Sequence, residues 1–313
     1  MNLKPIRIAN LTTENNVFLA PLAGYTNAVF REMCFNLGAG LTFTEMVSAK
    51  GLCYNSEKTQ GLLYITEGYS GVKACQIFGA EPNYMRRACE SGELAPFDLI
   101  DINMGCPVPK IYKNGEGSAL LNDFALAFKI ISECKKSGKA VSVKFRIGLD
   151  SSRICAGEFA KMCEDAGADM ICVHGRTRDK IYSGEVNFEE IAAAKRAVKI
   201  PVIANGGVFC KADAEKLLEK TGADGVAVAR GAMYNPWIFA EITEKPAGDK
   251  KSLALWQLEQ TEKLYGGRFA CVFMRKMLGF YLKGTRGAAG FKERLFKAES
   301  CAELKDILEE LPL

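Results

Sequence analysis

Short apolar runs rich in β-branched residues recur along this chain, and stretches with helical periodicity separate them. Such alternation is typical of parallel βα units, whose strands are buried on both faces and therefore read as nearly continuous apolar runs. We predict strands at residues 17–20, 41–45, 72–78, 99–103, 140–145, 170–173, 201–204 and 225–229. Eight strands of this kind suit a closed barrel, so the sequence predicts an α/β fold, a (β/α)8 TIM barrel.

The barrel pattern does not use the whole chain. A (β/α)8 barrel takes about 250 residues, and this chain has 313. The pattern ends near Phe239, and the charged stretch around Pro246 and Gly248 is typical of a linker. We therefore predict a catalytic barrel domain at residues 1–241, a linker at 242–250 and a small helical domain at 251–313.

The predicted C-terminal domain is amphipathic and basic. Five apolar residues follow the i, i+3, i+4, i+7, i+8 spacing of a helix with one buried face: Met274, Met277, Leu278, Tyr281 and Leu282. A last helix is predicted at residues 302–310. Residues 263–297 include nine Lys or Arg and a single acid, Glu293. This basic face is either a solvated surface or a contact for an anionic partner.

Composition argues against several classes of protein. No apolar run approaches the ~18 residues needed to span a bilayer, and the polar first fourteen residues do not resemble a signal peptide. The 12 Cys form no CxxC pair and His174 is the only histidine, so we expect no metal site. Cysteines inside apolar segments favour a reducing compartment. We expect a cytoplasmic protein without membrane association, and nothing indicates an obligate protein partner.

Glycine, polar and charged residues follow the predicted strands, at the barrel face where functional residues of this fold lie. The seventh strand leads into Asn205-Gly206-Gly207 and the eighth into Arg230-Gly231. Glycines there allow backbone N–H groups to approach an anion, and the loops after strands seven and eight of such barrels often bind phosphate. The alternative is that these glycines only form tight turns. We favour a phosphate site, because Arg230 adds a positive charge.

Lys144 and Arg146 lie two residues apart at the end of the fifth predicted strand, so their side chains share one face of that strand. Two cations directed into the barrel mouth require an anionic or electron-rich ligand, and a reduced flavin would fit. The alternative is a salt bridge to a carboxylate such as Asp101. His174, at the end of the sixth strand, is either a structural residue or a ligand contact.

Cys106 follows the fourth predicted strand, between Gly105 and Pro107. It begins what we predict as a long loop, running to about Ser118, of the kind that often forms a lid. A thiol of ordinary pKa, near 8.5, holds its proton at neutral pH and can act as a general acid. With a lowered pKa it would instead be a nucleophile. Its position, rather than its residue type, distinguishes Cys106 from the other cysteines.

Together these residues resemble the tRNA-dihydrouridine synthase family, in its bacterial, FMN-dependent form. The matching motifs occur in order over most of the barrel: 19–24 with 30–31, 76–79, 101–107, Lys110 with 115–117, 144–146, 174–178 with 182–184, and 230–232 with 235–237. The resemblance implies an oxidoreductase that binds FMN, is reduced by NADPH and reduces uridine in tRNA. Hydride would pass from flavin N5 to C6 of the base, and a protonated cysteine, here Cys106, would give C5 its proton.

The resemblance also implies roles for individual residues. FMN would be held by Pro21, Ala23, Gln76, Lys144, His174, Asn205, Gly206, Gly207, Arg230 and Gly231. The RNA would be bound by Asn103, Arg146, Tyr182, Arg178, Arg275 and Lys276. A uridine in folded RNA must leave its stack to reach a flavin, and the basic helices would hold the RNA backbone.

Three positions depart from the family pattern. Gly207 stands where an acid is usual, Met277 stands where a His commonly follows Arg-Lys, and Asn187-Phe188 replaces an acid and a Trp. None of these departures removes the proposed acid or the flavin contacts, and they bear on how the RNA is placed and on which position is the target.

Other functions remain open from the residues alone. A flavin barrel reductase for a free pyrimidine or another activated alkene would share the site and would not need the basic domain. A non-redox phosphate-binding barrel would use Lys144 as a Schiff-base nucleophile and leave Cys106 without a role. A third alternative is a non-catalytic RNA-binding protein built on the same barrel.

Overall fold

A closed ring of eight parallel strands forms the centre of the computed structural model, which describes residues 2–311 apart from the side chain of residue 58. An N-terminal hairpin, β1 (Arg7–Ile8) and β2 (Leu11–Thr12), precedes it. The barrel strands and one short added strand, β5, are β3 (Val17–Leu19), β4 (Leu41–Phe43), β5 (Val47–Ser48), β6 (Lys73–Phe78), β7 (Leu99–Met104), β8 (Ala140–Arg146), β9 (Met170–His174), β10 (Val202–Asn205) and β11 (Gly225–Val228). Pairing of β4 with β6 closes the ring. The predicted barrel is confirmed.

Strand ends differ from the prediction by one or two residues, and β4 shows the physical reason. It was predicted to reach residue 45, but it ends at Phe43. The next residue, Thr44, accepts the backbone N–H of Gln76 through its side-chain Oγ1, at 3.0 Å. A side chain therefore takes over a hydrogen bond that a regular ladder would make with a backbone carbonyl.

Helices surround the barrel and follow it along the chain. They are α1 (Ala28–Asn36), α2 (Ala49–Cys53), α3 (Glu57–Gln60), α4 (Pro82–Cys89), α5 (Pro109–Lys113), α6 (Phe124–Lys135), α7 (Ala156–Asp165), α8 (Phe188–Ala197), α9 (Lys211–Thr221), α10 (Arg230–Tyr234), α11 (Ile238–Thr243), α12 (Lys250–Tyr265), α13 (Gly267–Tyr281), α14 (Ala288–Lys297) and α15 (Cys301–Glu310). Within residues 2–311, no helix is both long and apolar enough to cross a membrane.

Two apolar cores hold the barrel together. Outward-facing strand residues such as Ile102 and Val143 pack against the helices, and inward-facing residues such as Phe18 and Leu99 fill the barrel. The N-terminal segment adds Ile6 and Ile8 to the inner core. Towards the carboxyl ends of the strands, inward positions become polar. The buried polar residues there are Gln76, Asp101, Asn103, Ser142, Arg146, His174 and Asn205. The inner core thus supports a polar layer at one end of the barrel.

The C-terminal helices pack against each other and on one side of the barrel. The predicted apolar face of α13 is confirmed, since Met274, Met277 and Leu278 are fully buried. Helices α12 and α13 contact α1 and α10 of the barrel, and the ring centroids of Trp237 and Tyr281 lie 5.3 Å apart. Helix α11 runs to Thr243 and α12 begins at Lys250, so the connection is shorter than the predicted linker. The division into two domains stays a prediction.

Candidate active site

A cleft of about 360 Å³ opens at the carboxyl ends of the strands, within the size range of small-molecule sites. It is lined by many of the predicted site residues: Pro21, Ala23, Gln76, Asn103, Cys106, Lys144, Arg146, His174, Tyr182, Asn205 and Arg230. A smaller cavity shares four of these residues and adds Gly206, Gly207 and Gly231. Residues far apart in sequence therefore meet at one end of the barrel.

Strand register brings the polar side chains to the same level. Arg146 of β8 lies opposite His174 of β9, and His174 lies opposite Asn205 of β10. Lys144 lies opposite Asn103 of β7. Because successive side chains of a strand alternate between its two faces, this register directs these residues into the barrel mouth and leaves Phe145 in the outer core.

A chain of hydrogen bonds runs from the barrel interior to Cys106. Asp101 accepts from Gln76 Nε2 at 2.7 Å and from Ser142 Oγ at 2.6 Å. Gln76 Oε1 accepts from Asn103 Nδ2 at 2.8 Å, and Asn103 Oδ1 accepts from the Cys106 backbone N–H at 2.9 Å. A carboxylate only accepts hydrogen bonds, so ionised Asp101 sets the orientation of both amides. Gln76 and Asn103 thereby position the Cys106 backbone.

The backbone of Cys106 is held on its other side as well. Its carbonyl accepts from the Ser118 N–H at 3.1 Å and from Ser118 Oγ at 2.8 Å. The intervening segment was predicted as a loop, but it contains α5 and a 3₁₀ helix at Gly117–Asn122. Gly117 has φ +60°, and a Cβ there would lie 3.0 Å from the Cys106 carbonyl oxygen. A residue without Cβ is therefore needed for this close return.

The Cys106 thiol retains its proton at neutral pH. Burial raises its pKa above the ordinary value, although the positive charges of Arg146 and Lys144 act in the opposite direction. A protonated thiol in a ligand-sized cleft is suited to general-acid chemistry. The alternative of a thiolate nucleophile requires a lowered pKa, which this environment does not provide.

Lys144 is half-buried and makes no salt bridge to Asp101 among the described residues. Its Nζ donates to Asn205 Oδ1 at 3.1 Å, and Asn205 Nδ2 donates to the Ala227 carbonyl at 2.7 Å. Burial lowers the pKa of Lys144. Because its hydrogen-bond partner is a neutral amide and not a carboxylate, no neighbouring acid neutralises the ammonium group of Lys144.

Arg146 lines the cleft but also supports its walls. Its Nε donates to the Gly105 carbonyl at 2.9 Å, and its Nη1 donates to the carbonyls of Thr177 and Ile181 at 3.0 and 2.9 Å. It therefore ties the segment that carries Cys106 to the segment that carries Tyr182. The sequence suggested a cation available to a ligand, whereas much of this guanidinium binds protein carbonyls. A role in substrate binding stays a prediction.

The smaller cavity has the features of an anion site. Arg176 is 8% exposed, and its Nε and Nη2 donate to the Gly184 carbonyl at 3.0 and 2.9 Å. Its Nη1 is buried without any hydrogen-bond partner among the described residues. The cavity is also lined by Arg230 and by Gly206 and Gly207, whose φ values are +128° and +73°. Since an unpaired buried N–H is costly, Nη1 indicates a missing acceptor.

Arg176 was not among the predicted site residues. The sequence did contain a signal, because Arg176 lies in the His174-Gly175-Arg176 motif just after a barrel strand. Arg230 lies at the equivalent position after the last barrel strand, and it was predicted as a site residue. Its buried, unpartnered nitrogen depends on the fold of the 176–184 loop, which no local pattern specifies.

We expect the free energy of unfolding to decrease as the pH is lowered, because His174 is buried in a neutral form. Burial lowers its pKa well below the ordinary value, and nearby positive charges lower it further: Arg146, Lys144, Arg176 and Arg230. Below about pH 6.5 the unfolded chain therefore binds a proton that the folded chain does not, and the folded state is destabilised. Asp101 acts in the opposite sense. Burial raises its pKa to about 6, so the folded carboxyl gains a proton between about pH 6 and 4 before the unfolded one does.

Urea denaturation of wild type and His174→Gln between pH 7.5 and 5 checks this expectation. Since His174 is the only histidine, the difference in unfolding free energy between the two proteins should change by up to about 1.4 kcal/mol per pH unit below pH 6.5. Parallel pH profiles would show that the imidazole is free to titrate in the folded protein.

Replacing Gly231 should disturb the smaller cavity. A Cβ at this position would lie 2.2 Å from the Val208 backbone oxygen, so Gly231→Ala forces the backbone apart. Overpacking of this kind costs about 1–3 kcal/mol. Chemical denaturation should show that loss of stability, whereas Gly92→Ala, which has nothing within 4 Å of its Cβ, is the matched control. Equal stability of the two variants would mean that the loop shifts freely.

The predicted RNA-contacting residues outside the cleft have different surroundings. Lys276 donates to the Gly24 carbonyl at 2.6 Å, and its Nζ lies 4.0 Å from the ring centroid of Tyr25, which lines the cleft. Arg275 has a buried Nε without a partner among the described residues. The guanidinium carbon of Arg178 lies 3.6 Å from the ring centroid of Tyr112. Lys276 of α13 therefore contacts residues at the cleft, while Arg275 and Arg178 do not line it.

Two of the three departures from the family pattern have structural explanations. Met277 is fully buried in the apolar face of α13, so it contributes packing rather than a surface contact. Asn187 is the N-cap of α8, and its Oδ1 accepts from the Glu190 N–H at 3.1 Å. Asparagine is among the preferred residues for this capping position.

Comparison with known proteins identifies relatives over nearly the whole chain. A family model described as "Dihydrouridine synthase (Dus)" matches residues 18–312. tRNA-dihydrouridine synthase B of Pseudomonas aeruginosa is 35% identical over 320 residues, covering 97% of this chain and 96% of that protein. A probable tRNA-dihydrouridine synthase of Rickettsia bellii is 36% identical, covering 97% of each.

Solved structures share the fold at low sequence identity. Histamine dehydrogenase from Rhizobium sp. 4-9 has a TM-score of 0.61 at 13% identity, covering 83% of this chain and 50% of that one. A variant of NCR from Zymomonas mobilis has a TM-score of 0.56 at 18% identity, covering 77% and 91%. These likenesses support the barrel fold.

Proposed function

The chain belongs to the dihydrouridine synthase family and is a flavin-dependent oxidoreductase that acts on uridine in tRNA, and we propose that FMN is its flavin, NADPH its reductant and Cys106 its proton donor. One observation carries the proposal. Cys106 lines the same cleft as Lys144, His174 and Arg230. A base that enters this cleft meets both the proposed acid and the residues that would hold the flavin.

The residues present fit FMN. The buried, unpartnered Nη1 of Arg176, beside Arg230 and the Gly206-Gly207 turn, suits a phosphate group. The cleft next to it has apolar walls that include Pro21, Met46 and Met233, which suit a flat ring system. Lys144 would place a positive charge near the pyrimidine part of that ring, where it favours the reduced form. When bound there, reduced FMN supplies a hydride to C6 of uridine.

The chain's own residues prepare and deliver the proton. The Cys106 Sγ keeps its hydrogen because burial raises the thiol pKa. The backbone N–H and carbonyl of Cys106 are held by Asn103 and Ser118, so the position of its Cα at the cleft is fixed. Protonation of C5 by Cys106 then completes saturation of the C5=C6 bond. A donor group that is already positioned before the reaction lowers the entropic part of the activation free energy.

The substrate is a base within RNA, so it must leave its stack before it enters the cleft. Tyr182 stands at the cleft wall and is 47% exposed, and we propose that it contacts the extruded base together with Asn103 and Arg146. The basic helical domain would hold the rest of the tRNA. We propose that the activity is cytoplasmic.

Purified protein with NADPH and an unmodified tRNA transcript tests the proposal. We expect bound flavin that dissociates as FMN, and dihydrouridine at defined positions by mass spectrometry of the digested RNA. Free uridine should be reduced far more slowly. Equal rates with free pyrimidines and tRNA would instead favour a small-molecule reductase, and faster turnover with NADH would correct the choice of reductant.

A further inference from the structure

We propose that an exposed patch on the barrel rim, formed by Tyr54, Tyr84, Lys50 and Arg87, binds tRNA away from the target uridine. The proposal rests on the proposed function, since it takes tRNA as the substrate. It adds a second contact surface, on the barrel itself, to the basic C-terminal helices.

The patch combines two tyrosine rings with two cations. Tyr54 is 66% exposed, its ring centroid lies 5.9 Å from that of Tyr84, and the two hydroxyls are 2.7 Å apart. Lys50 Nζ lies 5.1 Å from the centroid of the Tyr84 ring, and the Arg87 guanidinium carbon lies 5.6 Å from it. Aromatic rings with adjacent positive charge can stack nucleobases and contact phosphates at the same time.

The fold places this patch on the same rim as the cleft. Lys50 lies in α2, directly after β5, and Tyr84 lies in the first turn of α4, which follows β6. Strand β5 pairs with the carboxyl end of β6, through Ser48 and Phe78. Both helices therefore begin at the end of the barrel where the cleft opens.

The surroundings of the patch link it to both parts of the proposed site. Lys50 and Glu81 act electrostatically on Glu116, in the segment that follows Cys106. Tyr64, which follows the patch residue Tyr54 in the sequence, packs on Tyr265 of α12, and their ring centroids lie 5.5 Å apart. The side of the rim that carries the patch therefore adjoins the segment after Cys106 and also contacts the C-terminal helices.

Charge favours RNA as the occupant. Arg87 makes no ion pair among the described residues. Lys50 makes a single ion pair, with Glu81 at 3.2 Å, and the side chains of both residues are exposed. Exposed pairs of this kind are weak and exchange readily. A shallow groove beside the patch is lined by Arg86, Arg87 and Lys129 and by two acids, Glu90 and Glu133, which both pair with Arg86. Arg87 and Lys129 are its cations without an ion pair among the described residues.

Binding of unmodified tRNA to the flavin-loaded full-length protein tests the proposal. The double variant Tyr54→Ala/Tyr84→Ala should weaken binding about tenfold, because it removes both aromatic surfaces on which a base could stack. Tyr54→Phe/Tyr84→Phe keeps the rings and should bind like wild type. Lys50→Ala/Arg87→Ala should lower the slope of log Kd against log salt concentration by about 1 to 2.

Two controls make the result specific. Phe128→Ala removes another exposed aromatic, 42% exposed on α6, and should leave tRNA affinity unchanged. NADPH oxidation without RNA should be the same in all variants, which excludes loss of the flavin site. Wild-type affinity in the double alanine variant would overturn the proposal, and so would a change in oligomeric state at unchanged tRNA affinity, since the patch would then bind protein. Failure of wild type to form dihydrouridine would count against the proposed function instead.

Discussion

Cys106→Ala is expected to lose dihydrouridine formation by a factor of about 10² to 10⁴, the range that a positioned general acid contributes. The side chain carries the only cysteine thiol that lines the cleft among the described residues. Alanine removes the proton and leaves the backbone contacts of residue 106 to Asn103 and Ser118 in place. Single-turnover kinetics with excess enzyme and unmodified tRNA would measure the loss.

Cys106→Ala should retain the steps that precede uridine reduction, which are FMN binding and reduction of the flavin by NADPH. FMN content and the rate of flavin reduction by NADPH should match wild type, because the residues proposed to hold the flavin are unchanged. Cys210→Ala, at an exposed cysteine outside the cleft, is the matched control and should retain full activity. A Cys106→Ala variant as active as wild type would refute the acid role.

Arg230→Met should weaken FMN binding by about 10- to 100-fold and leave riboflavin binding unchanged. Arg230 makes no ion pair among the described residues, and its guanidinium carbon lies 4.6 Å from the Tyr182 ring centroid. Its charge is therefore available to a phosphate, and a charge-assisted hydrogen bond contributes about 1.5–3 kcal/mol. Riboflavin lacks the phosphate, so it reports any general damage to the cleft.

Titration of the flavin-free protein, followed by flavin fluorescence, would give both affinities. Arg196→Met is the control, since Arg196 lies on the outer surface and pairs with Glu189. Equal losses for FMN and riboflavin would mean that Arg230 holds the cleft wall rather than the phosphate, and the anion site would then have to be assigned elsewhere.

The apolar periodicity of the sequence was sufficient to predict the barrel and the end of the barrel that carries the candidate site. Lys144 and Arg146 were placed on one strand face from their spacing alone, and both line the cleft. Their partners could not be predicted in this way. Three carbonyls that bind Arg146 come from loops 31 to 41 residues distant in sequence. Whether this guanidinium is available to a ligand or bonded to protein carbonyls therefore depends on tertiary structure.

The C-terminal residues illustrate the same limit of sequence reasoning. The family resemblance implied that Arg275 and Lys276 both contact RNA. In the structure, Lys276 reaches back to Gly24, 252 residues earlier, and lies over Tyr25 at the cleft. Local patterns predicted the helix and its buried face, because those depend on spacing within the helix. Where the exposed face lies relative to the barrel depends on the packing of α13 against the barrel helices, which spacing within α13 does not encode.

The most direct test of the account is an anaerobic single turnover. Protein whose bound FMN has been reduced with one equivalent of NADPH is mixed with excess unmodified tRNA, and flavin absorbance and dihydrouridine are measured together. We expect the flavin to be reoxidised with formation of one dihydrouridine per flavin, at a rate that Cys106→Ala lowers at least 100-fold. Flavin that stays reduced in the presence of tRNA, or that is reoxidised without formation of dihydrouridine, would contradict the account.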